Sequence, residues 1–131
     1  MREIKFRYRI ATYPTYEIVE ANKVIVTRIY TIDEIEKGTR LRISDRILSR
    51  DQYTGLKDKN GVEIYEGDVC YCTRLVDDHD IIELGEGYIG FLDSAFVFFG
   101  KEDNYILHLI TPNQIEVIGN IYENKELLCD Q

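Results

Sequence analysis

Apolar and charged residues alternate along much of the chain, beginning at the N-terminus. Every second position of residues 3–10 is apolar, and the positions between them carry charge. The apolar members are Ile4, Phe6, Tyr8 and Ile10. Successive side chains of a β-strand point to opposite faces, so this pattern predicts a strand with one apolar and one charged face. Residues 23–30 are rich in β-branched and aromatic types and predict a second strand.

One short helix is predicted between the strands of the first half. Thr31-Ile32-Asp33-Glu34 has the form of a capping box, and Gly38 follows soon after. Alternation resumes at residues 41–43, whereas residues 44–51 fit no single pattern. A second short helix is predicted to begin at Asn124 near the end of the chain.

Turn-forming residues divide the second half into short strands. Asn60-Gly61 favours a tight hairpin, because both positions tolerate positive φ. Glu66-Gly67-Asp68 predicts the next turn, and Gly85-Glu86-Gly87 another. Strands are predicted at Val69–Leu75, Ile81–Leu84, Tyr88–Leu92, Ala95–Phe99, Tyr105–Thr111 and Ile115–Tyr122. Many short strands with polar turns indicate a mainly β fold, built as a small barrel or sandwich.

Charge is distributed unevenly over the 131 residues, whose formal net charge is −8. Residues 1–50 carry eleven Lys and Arg against seven Asp and Glu, a balance of +4. Residues 51–131 carry five against seventeen, a balance of −12. This asymmetry predicts a basic, β-rich N-terminal segment (1–50) followed by an acidic β-barrel domain (51–131).

Three cysteines, Cys70, Cys72 and Cys129, are predicted to be structural thiols. An odd number with one closely spaced pair is a poor disulfide framework. A zinc site would need to combine them with His79 or His108, and zinc ligands usually come as two closely spaced pairs. No apolar run approaches the roughly 20 residues that span a bilayer. We therefore expect a cytoplasmic protein with no membrane contact.

Catalytic patterns are weak throughout the sequence. The cluster Asp77-Asp78-His79-Asp80 lacks the spacing of a calcium loop and predicts a solvated acidic turn. His108 lies in an apolar run and is predicted to be a core or edge residue of a strand. No serine stands in a nucleophile-elbow motif, and no glycine-rich phosphate loop is present. We therefore expect no enzyme activity, no cofactor and no bound metal.

Three segments carry a resemblance to known proteins: REIKFR (residues 2–7), QYTGLKDKNGVEIYEGD (residues 52–68) and EVIGNIYENKELL (residues 116–128). They resemble the YopX family of phage and prophage proteins of unknown function. The resemblance implies phage or prophage origin and expression inside a bacterial host. It also implies a C-terminal barrel of the Src-homology-three type, and it supplies no catalytic residue.

Six residues around the predicted hairpin are candidates for a binding surface: Tyr53, Lys57, Asp58, Lys59, Tyr65 and Asp68. Exposed aromatic side chains beside charges can form a recognition surface. Alternatively, the tyrosines brace the hairpin and the aspartates shape its turns. The sequence leaves both interpretations open.

A second candidate surface is basic. Arg40 and Arg42 would share one face of a strand, and Arg46 and Arg50 would share one face if their stretch were helical. Such a patch could bind nucleic-acid phosphates, or it could dock on the acidic part of this chain or of a second copy. The overall prediction is a non-enzymatic phage accessory protein that acts by protein–protein interaction or self-association. Nucleic-acid binding through the four arginines is the alternative.

Overall fold

A computed structural model describes residues 3–12, 23–38, 45–75 and 80–123 of the chain. The fold is mainly β, with a sheet that curls into a half-barrel, and this confirms the prediction of a mainly β fold. The chain forms two compact units, Met1–Tyr53 and Thr54–Gln131. Within the described ranges, no helix is long and apolar enough to cross a bilayer.

The first unit is built on two paired strands, β1 (Lys5–Thr12) and β2 (Val24–Thr31). They are antiparallel, and their register runs without a shift from the Lys5–Thr31 pair to the Thr12–Val24 pair. Tyr8 and Ile10 are buried, and the Tyr8 ring meets Tyr30 edge-on at 5.2 Å between centroids. The predicted apolar face of β1 is therefore the face that forms a core.

Of the residues whose pattern was ambiguous (44–51), residues 46–51 belong to a long strand, β3 (Arg46–Lys57). It pairs antiparallel with β1, with a register shift between Arg9 and Ile10 that marks a bulge. Asp51 is buried on this strand, and its carboxylate lies 3.1 Å from the Arg7 guanidinium. A buried carboxylate fits no simple alternation, which explains the ambiguity of the sequence here. The predicted division at residue 50 falls within this continuous strand.

The helix α1 (Ile32–Glu36) begins as the sequence predicts. The Thr31 side chain accepts a hydrogen bond from the Glu34 N–H at 3.3 Å, and the Glu34 carboxylate accepts one from the Thr31 N–H at 3.2 Å. This reciprocal pair is the predicted capping box. The second predicted helix, from Asn124, lies outside the described residues.

Six further strands lie in the described residues of the second unit. They are β4 (Glu63–Tyr65), β5 (Asp68–Leu75), β6 (Ile81–Leu92), β7 (Ala95–Phe99), β8 (Asn104–Ile106) and β9 (Ile115–Asn120). Five of them form a sheet in the order β8-β7-β6-β5-β9, in which each neighbouring pair is antiparallel. Its core comprises Ile64, Cys70, Cys72, Ile89, Phe96, Phe98, Leu107, Ile110 and Ile115.

The predicted turn at Gly85-Glu86-Gly87 is wrong, because β6 runs straight through it. Gly85 has a φ of 78° and lies beside a register shift between Cys72 and Thr73, so it forms part of a bulge. A Cβ atom on Gly87 would collide with the Phe99 carbonyl oxygen and would lie 2.7 Å from the Phe98 ring. These glycines allow a bulge and a close approach of neighbouring strands rather than a reversal.

The predicted strand Tyr105–Thr111 is also wrong beyond its first residues. Strand β8 ends at Ile106, and a 3-10 helix follows at Leu107–Leu109. Leu107 and Ile110 are both buried, because residues three apart lie on one side of a 3-10 helix. His108 lies on that helix and is exposed, so it is neither a core residue nor part of a strand.

The contact above Gly87 gives a stability prediction. We expect Gly87→Ala to lower the free energy of unfolding by about 1–3 kcal/mol, because an added methyl group must displace backbone and a packed ring. Chemical denaturation with urea measures the change. Gly61→Asn is the control, since nothing lies within 4 Å of its added Cβ and asparagine tolerates positive φ. Equal stability of Gly87→Ala and the parent would contradict the close approach.

Candidate functional site

The Asp58 carboxylate organises the turn between β3 and β4. One of its oxygens accepts hydrogen bonds from the N–H groups of Asn60 and Val62, at 2.8 and 2.9 Å. The other accepts the N–H of Val117 on β9 at 2.9 Å. The Asp58 N–H itself donates to the Val62 carbonyl at 2.8 Å. One side chain therefore closes a local turn and ties it to a strand far along the chain.

The electrostatics of Asp58 follow from these contacts. Only 5% of the residue is exposed, and burial by itself raises the pKa of its carboxyl group. The N–H groups of Val117, Val62 and Asn60 outweigh burial and hold the pKa below its ordinary value. A carboxylate that accepts several backbone hydrogen bonds is stabilised in its charged form. Asp58 is therefore a structural anion rather than a proton donor or acceptor.

Asp68 has a similar role in the second turn. Its carboxylate accepts the Tyr65 N–H at 2.8 Å, and the residue is 1% exposed. Gly67 has a φ of 88°, and its N–H donates to the Ile89 carbonyl at 2.7 Å. Its carbonyl oxygen accepts the Ile121 N–H at 2.9 Å. Side-chain and backbone bonds together fix the reversal between β4 and β5.

The two tyrosines of the candidate surface are buried. Tyr53 is 6% exposed, and the Lys5 ammonium group lies 4.8 Å from the centre of its ring. Tyr65 is 3% exposed, and its hydroxyl donates to the Glu63 carboxylate at 3.2 Å. Both tyrosines are thus positioned to brace the strands on which they stand.

Two of the six candidates remain on the surface, and they are lysines. Lys57 and Lys59 are exposed. The Lys59 ammonium group lies 2.7 Å from the Glu116 carboxylate, and both side chains are partly open to solvent. The turn-forming interpretation therefore accounts for Asp58 and Asp68. Recognition by the segment stays a prediction that would rest mainly on the lysines.

The basic candidate surface is dispersed. Arg40 and Arg42 lie outside the described residues, and Arg46 and Arg50 are exposed on strand β3 rather than on a helix. Arg50 pairs with Tyr8, and Arg46 pairs with Ala11 on the same strand, three residues further on. Cross-strand partners share a face, and positions three apart on β1 point to opposite faces. The β3 bulge therefore puts Arg46 and Arg50 on opposite faces, which corrects the shared helical face predicted from the sequence.

Comparison with protein families gives a match to the model of the YopX protein family over residues 8–129. The chain belongs to the YopX family. The match includes the turns of Asp58 and Asp68 and all strands from β2 to β9. A comparison with curated proteins finds no significant match. Membership in the YopX family was expected from the sequence and is confirmed.

The thiols of this YopX protein are core residues, as predicted for Cys70 and Cys72. Both are fully buried, and Cys129 lies outside the described residues. Burial raises the pKa of Cys72 to about 12 and raises that of Cys70 as well. A thiol that stays protonated at neutral pH is a poor nucleophile and a poor metal ligand.

Metal-binding and acid–base groups are scattered in the described part of the YopX chain. There, no three residues of the types His, Cys, Asp and Glu come together as a metal site would require. Asp77, Asp78 and His79 lie outside the described residues, and Asp80 is exposed. The predictions of no enzyme activity and no cofactor are left as predictions.

A groove of about 400 Å³ lies beside the start of β6, and it has mixed charge. Its lining includes Glu83, Lys101, Glu102, Asp103 and Tyr105. The Arg74 guanidinium lies 5.5 Å from the centre of the Tyr105 ring, so a cation already covers part of that aromatic surface. Glu83 accepts a hydrogen bond from the Tyr71 hydroxyl, and this bond raises the pKa of Tyr71. None of these groups forms a nucleophile–base pair.

Strand β2 carries three of the exposed apolar residues of the chain, and sequence reasoning did not single them out. Val24, Ile25 and Ile29 are 46%, 45% and 47% exposed. Ile25 and Ile29 pair with Ala11 and Arg7, which places them on the charged face of β1. The signal in the sequence is the run VIV, in which apolar residues occupy both faces of a strand.

The Asp58 network predicts a specific sensitivity. We expect Asp58→Asn to lower the free energy of unfolding by about 1–3 kcal/mol at neutral pH, because the amide NH2 replaces one acceptor and faces a backbone N–H. Urea denaturation of the variant and of Asp103→Asn, an exposed aspartate in the same unit, measures the difference. If Asp103→Asn lowered the free energy of unfolding as much as Asp58→Asn, the result would contradict the structural role of Asp58.

The same network predicts a pH dependence. The pKa of Asp58 is lower in the folded protein, so its stabilising effect is complete above the unfolded-state pKa and is lost as pH falls through the folded-state pKa. The stability gap between the parent and Asp58→Asn should therefore be widest at neutral pH and should narrow in acid. Denaturation curves at several pH values measure the gap, and a gap that widens in acid would contradict the assignment.

Proposed function

We propose that this YopX-family protein is a non-enzymatic accessory protein of a bacteriophage or prophage that acts by binding proteins, including copies of itself. Its place of action is the cytoplasm of the bacterial host. The proposal is supported by the absence of a reactive constellation among the described side chains and by the exposed apolar surface of the first unit. Family membership supports the phage setting through the resemblance described above.

The exposed apolar side chains of β2 carry the proposal. Val24, Ile25 and Ile29 are about half exposed to solvent, and all three lie on one short strand. Removing apolar surface from water stabilises an association by roughly 25 cal/mol per Å². Single exposed apolar residues are common, but a cluster on one strand is typical of a surface that another chain covers.

Charge supplies a second, independent attraction between copies. Residues 1–50 have a balance of +4, and residues 51–131 have a balance of −12. The basic part of one copy can therefore attract the acidic part of another. Attraction of this kind weakens as salt increases, whereas apolar contact does not.

We also propose that the second unit is a small barrel of the Src-homology-three type. The short antiparallel strands, the Gly67-Asp68 reversal and the bulges on both sides of β5 favour strong curvature. In such a barrel the Asp58 and Asp68 turns are part of the scaffold, and a binding surface lies elsewhere.

Nucleic-acid binding is the second candidate function, and the exposure of Arg46 and Arg50 supports it. Two observations weigh against it. The two arginines lie on opposite faces of β3, and the whole chain carries a net charge of −8 that repels a polyanion.

Self-association is tested by sedimentation of the full-length protein over a range of concentrations in low and high salt. We expect species larger than the monomer in both, because apolar contact persists when charges are screened. Association in low salt alone would show that attraction between charges, and not apolar contact, holds the copies together. A monomer under all conditions would overturn self-association.

Nucleic-acid binding is tested with random single- and double-stranded oligonucleotides in a salt titration. We expect no binding that weakens steeply with salt. If such binding is found, the substitutions Arg46→Gln and Arg50→Gln should each reduce the slope of log K against log salt by about one. Lys101→Gln, an exposed charge change in the second unit, is the control. Binding that weakens steeply with salt, with a slope that falls in the two arginine variants and not in Lys101→Gln, would establish nucleic-acid binding.

A further inference from the structure

Strand β2 is an edge strand without the usual protection. It ends the sheet order β2-β1-β3-β4, and in the described part of the chain it pairs with β1 alone. Edge strands are normally guarded by proline, by bulges or by several charges. The β2 sequence, VIVTRIYT, has no proline and one charged residue, and its register with β1 has no shift. Such an edge is a template for another strand.

The side chains of β2 are apolar on both faces. Ile25 and Ile29 lie on one face with Thr27 between them, opposite Ala11, Arg9 and Arg7 of β1. On the other face, Val24, Val26, Arg28 and Tyr30 alternate with them. A strand added at this edge would therefore place side chains over exposed apolar surface on both sides.

We propose that β2 pairs antiparallel with β2 of a second copy, about a two-fold axis at Thr27, so that the two sheets become one. The proposal rests on the self-association put forward above and names its surface and its geometry. A two-fold contact uses the same patch on both partners, and one edge strand meeting itself in this way becomes antiparallel.

Symmetry restricts the register of this pairing. A two-fold axis normal to the sheet keeps each face on its own side, so a residue can oppose only a residue of its own face. One residue of β2 must then lie directly opposite the same residue of the partner, with the axis between them. Centring it on Arg28 would place that arginine directly opposite the partner's Arg28, and like charges directly opposite each other are destabilising. Centring it on Thr27 overlaps an equally long stretch, residues 24–30, without that repulsion.

The Thr27 register also matches the apolar side chains. Ile25 lies opposite the partner's Ile29 and Ile29 opposite the partner's Ile25, which brings four isoleucines together on one face. On the other face, Val24 lies opposite the partner's Tyr30. Thr27 opposes its own symmetry mate, and paired threonines are favourable across antiparallel strands. Because the contacts are apolar and the two arginines are offset, this association should persist in high salt.

Cysteine cross-linking tests the register. In a Cys129→Ser background, where the remaining thiols Cys70 and Cys72 are buried, we expect Thr27→Cys to form a covalent dimer under mild oxidation. The symmetry-related Cα atoms then lie about 4.5–5.5 Å apart, within the range of a disulfide. Arg28→Cys is the control, because its sulfur would face the partner's Val26. Cross-linking at Arg28→Cys in preference to Thr27→Cys would overturn the register.

A substitution on the exposed face tests the surface. We expect Ile25→Lys to raise the dissociation constant of the dimer at least about tenfold, because charge on an edge strand opposes pairing. Leu75→Lys is the matched control, since Leu75 is 50% exposed in the second unit. Sedimentation measures both, and circular dichroism checks that both variants fold.

The outcomes of these experiments distinguish the β2 pairing from the self-association on which it rests. A monomeric parent in sedimentation overturns both. A parent that associates but gives no Thr27→Cys dimer, or that is weakened equally by Ile25→Lys and Leu75→Lys, overturns the β2 pairing and leaves self-association in place. Thr27→Cys dimers together with selective weakening by Ile25→Lys support the pairing.

Discussion

The second unit depends on one buried anion. Asp58 accepts three backbone N–H groups, two from its own turn and one from Val117 on β9. Hydrogen bonds to a charged acceptor are stronger than those between neutral groups, and a backbone N–H buried without a partner is costly. The carboxylate therefore sets the shape of the hairpin and the position of the last strand at the same time. This double role explains why an acidic residue occupies a site that is almost closed to solvent.

The family signature is best understood in these terms. In the segment 52–68, the side chains that might have formed a binding surface are mostly buried: the tyrosines pack, and the aspartates receive N–H groups. The described contacts of these side chains account for the turns and the packing of the segment. Most of the exposed apolar side chains of the described residues lie outside this segment, and those of β2 follow a sheet edge in the first unit.

Much of the fold could be predicted from local patterns, and the errors have local causes. Alternation located β1, β-branched and aromatic residues located β2, and the Thr31–Glu34 pair located the helix. The glycines of β6 were mistaken for a turn, because a glycine required by a neighbouring strand looks the same in sequence as one required by a reversal. The candidate site was harder to predict. Which strand lies at an edge, and which arginines share a face across a bulge, depends on pairings between residues far apart.

The place of β9 in the sheet has a consequence for how the chain is made. Strand β5 lies between β6 and β9, and β9 is the last of the strands in the described residues. A chain that emerges from the ribosome can pair β5 with β6 first, while the other side of β5 must wait for the C-terminal strand. Until then the nascent chain has an open flank at β5 and an Asp58 carboxylate without its Val117 partner. Synthesis of β9, and not only of the hairpins that precede it, is thus needed to complete the sheet.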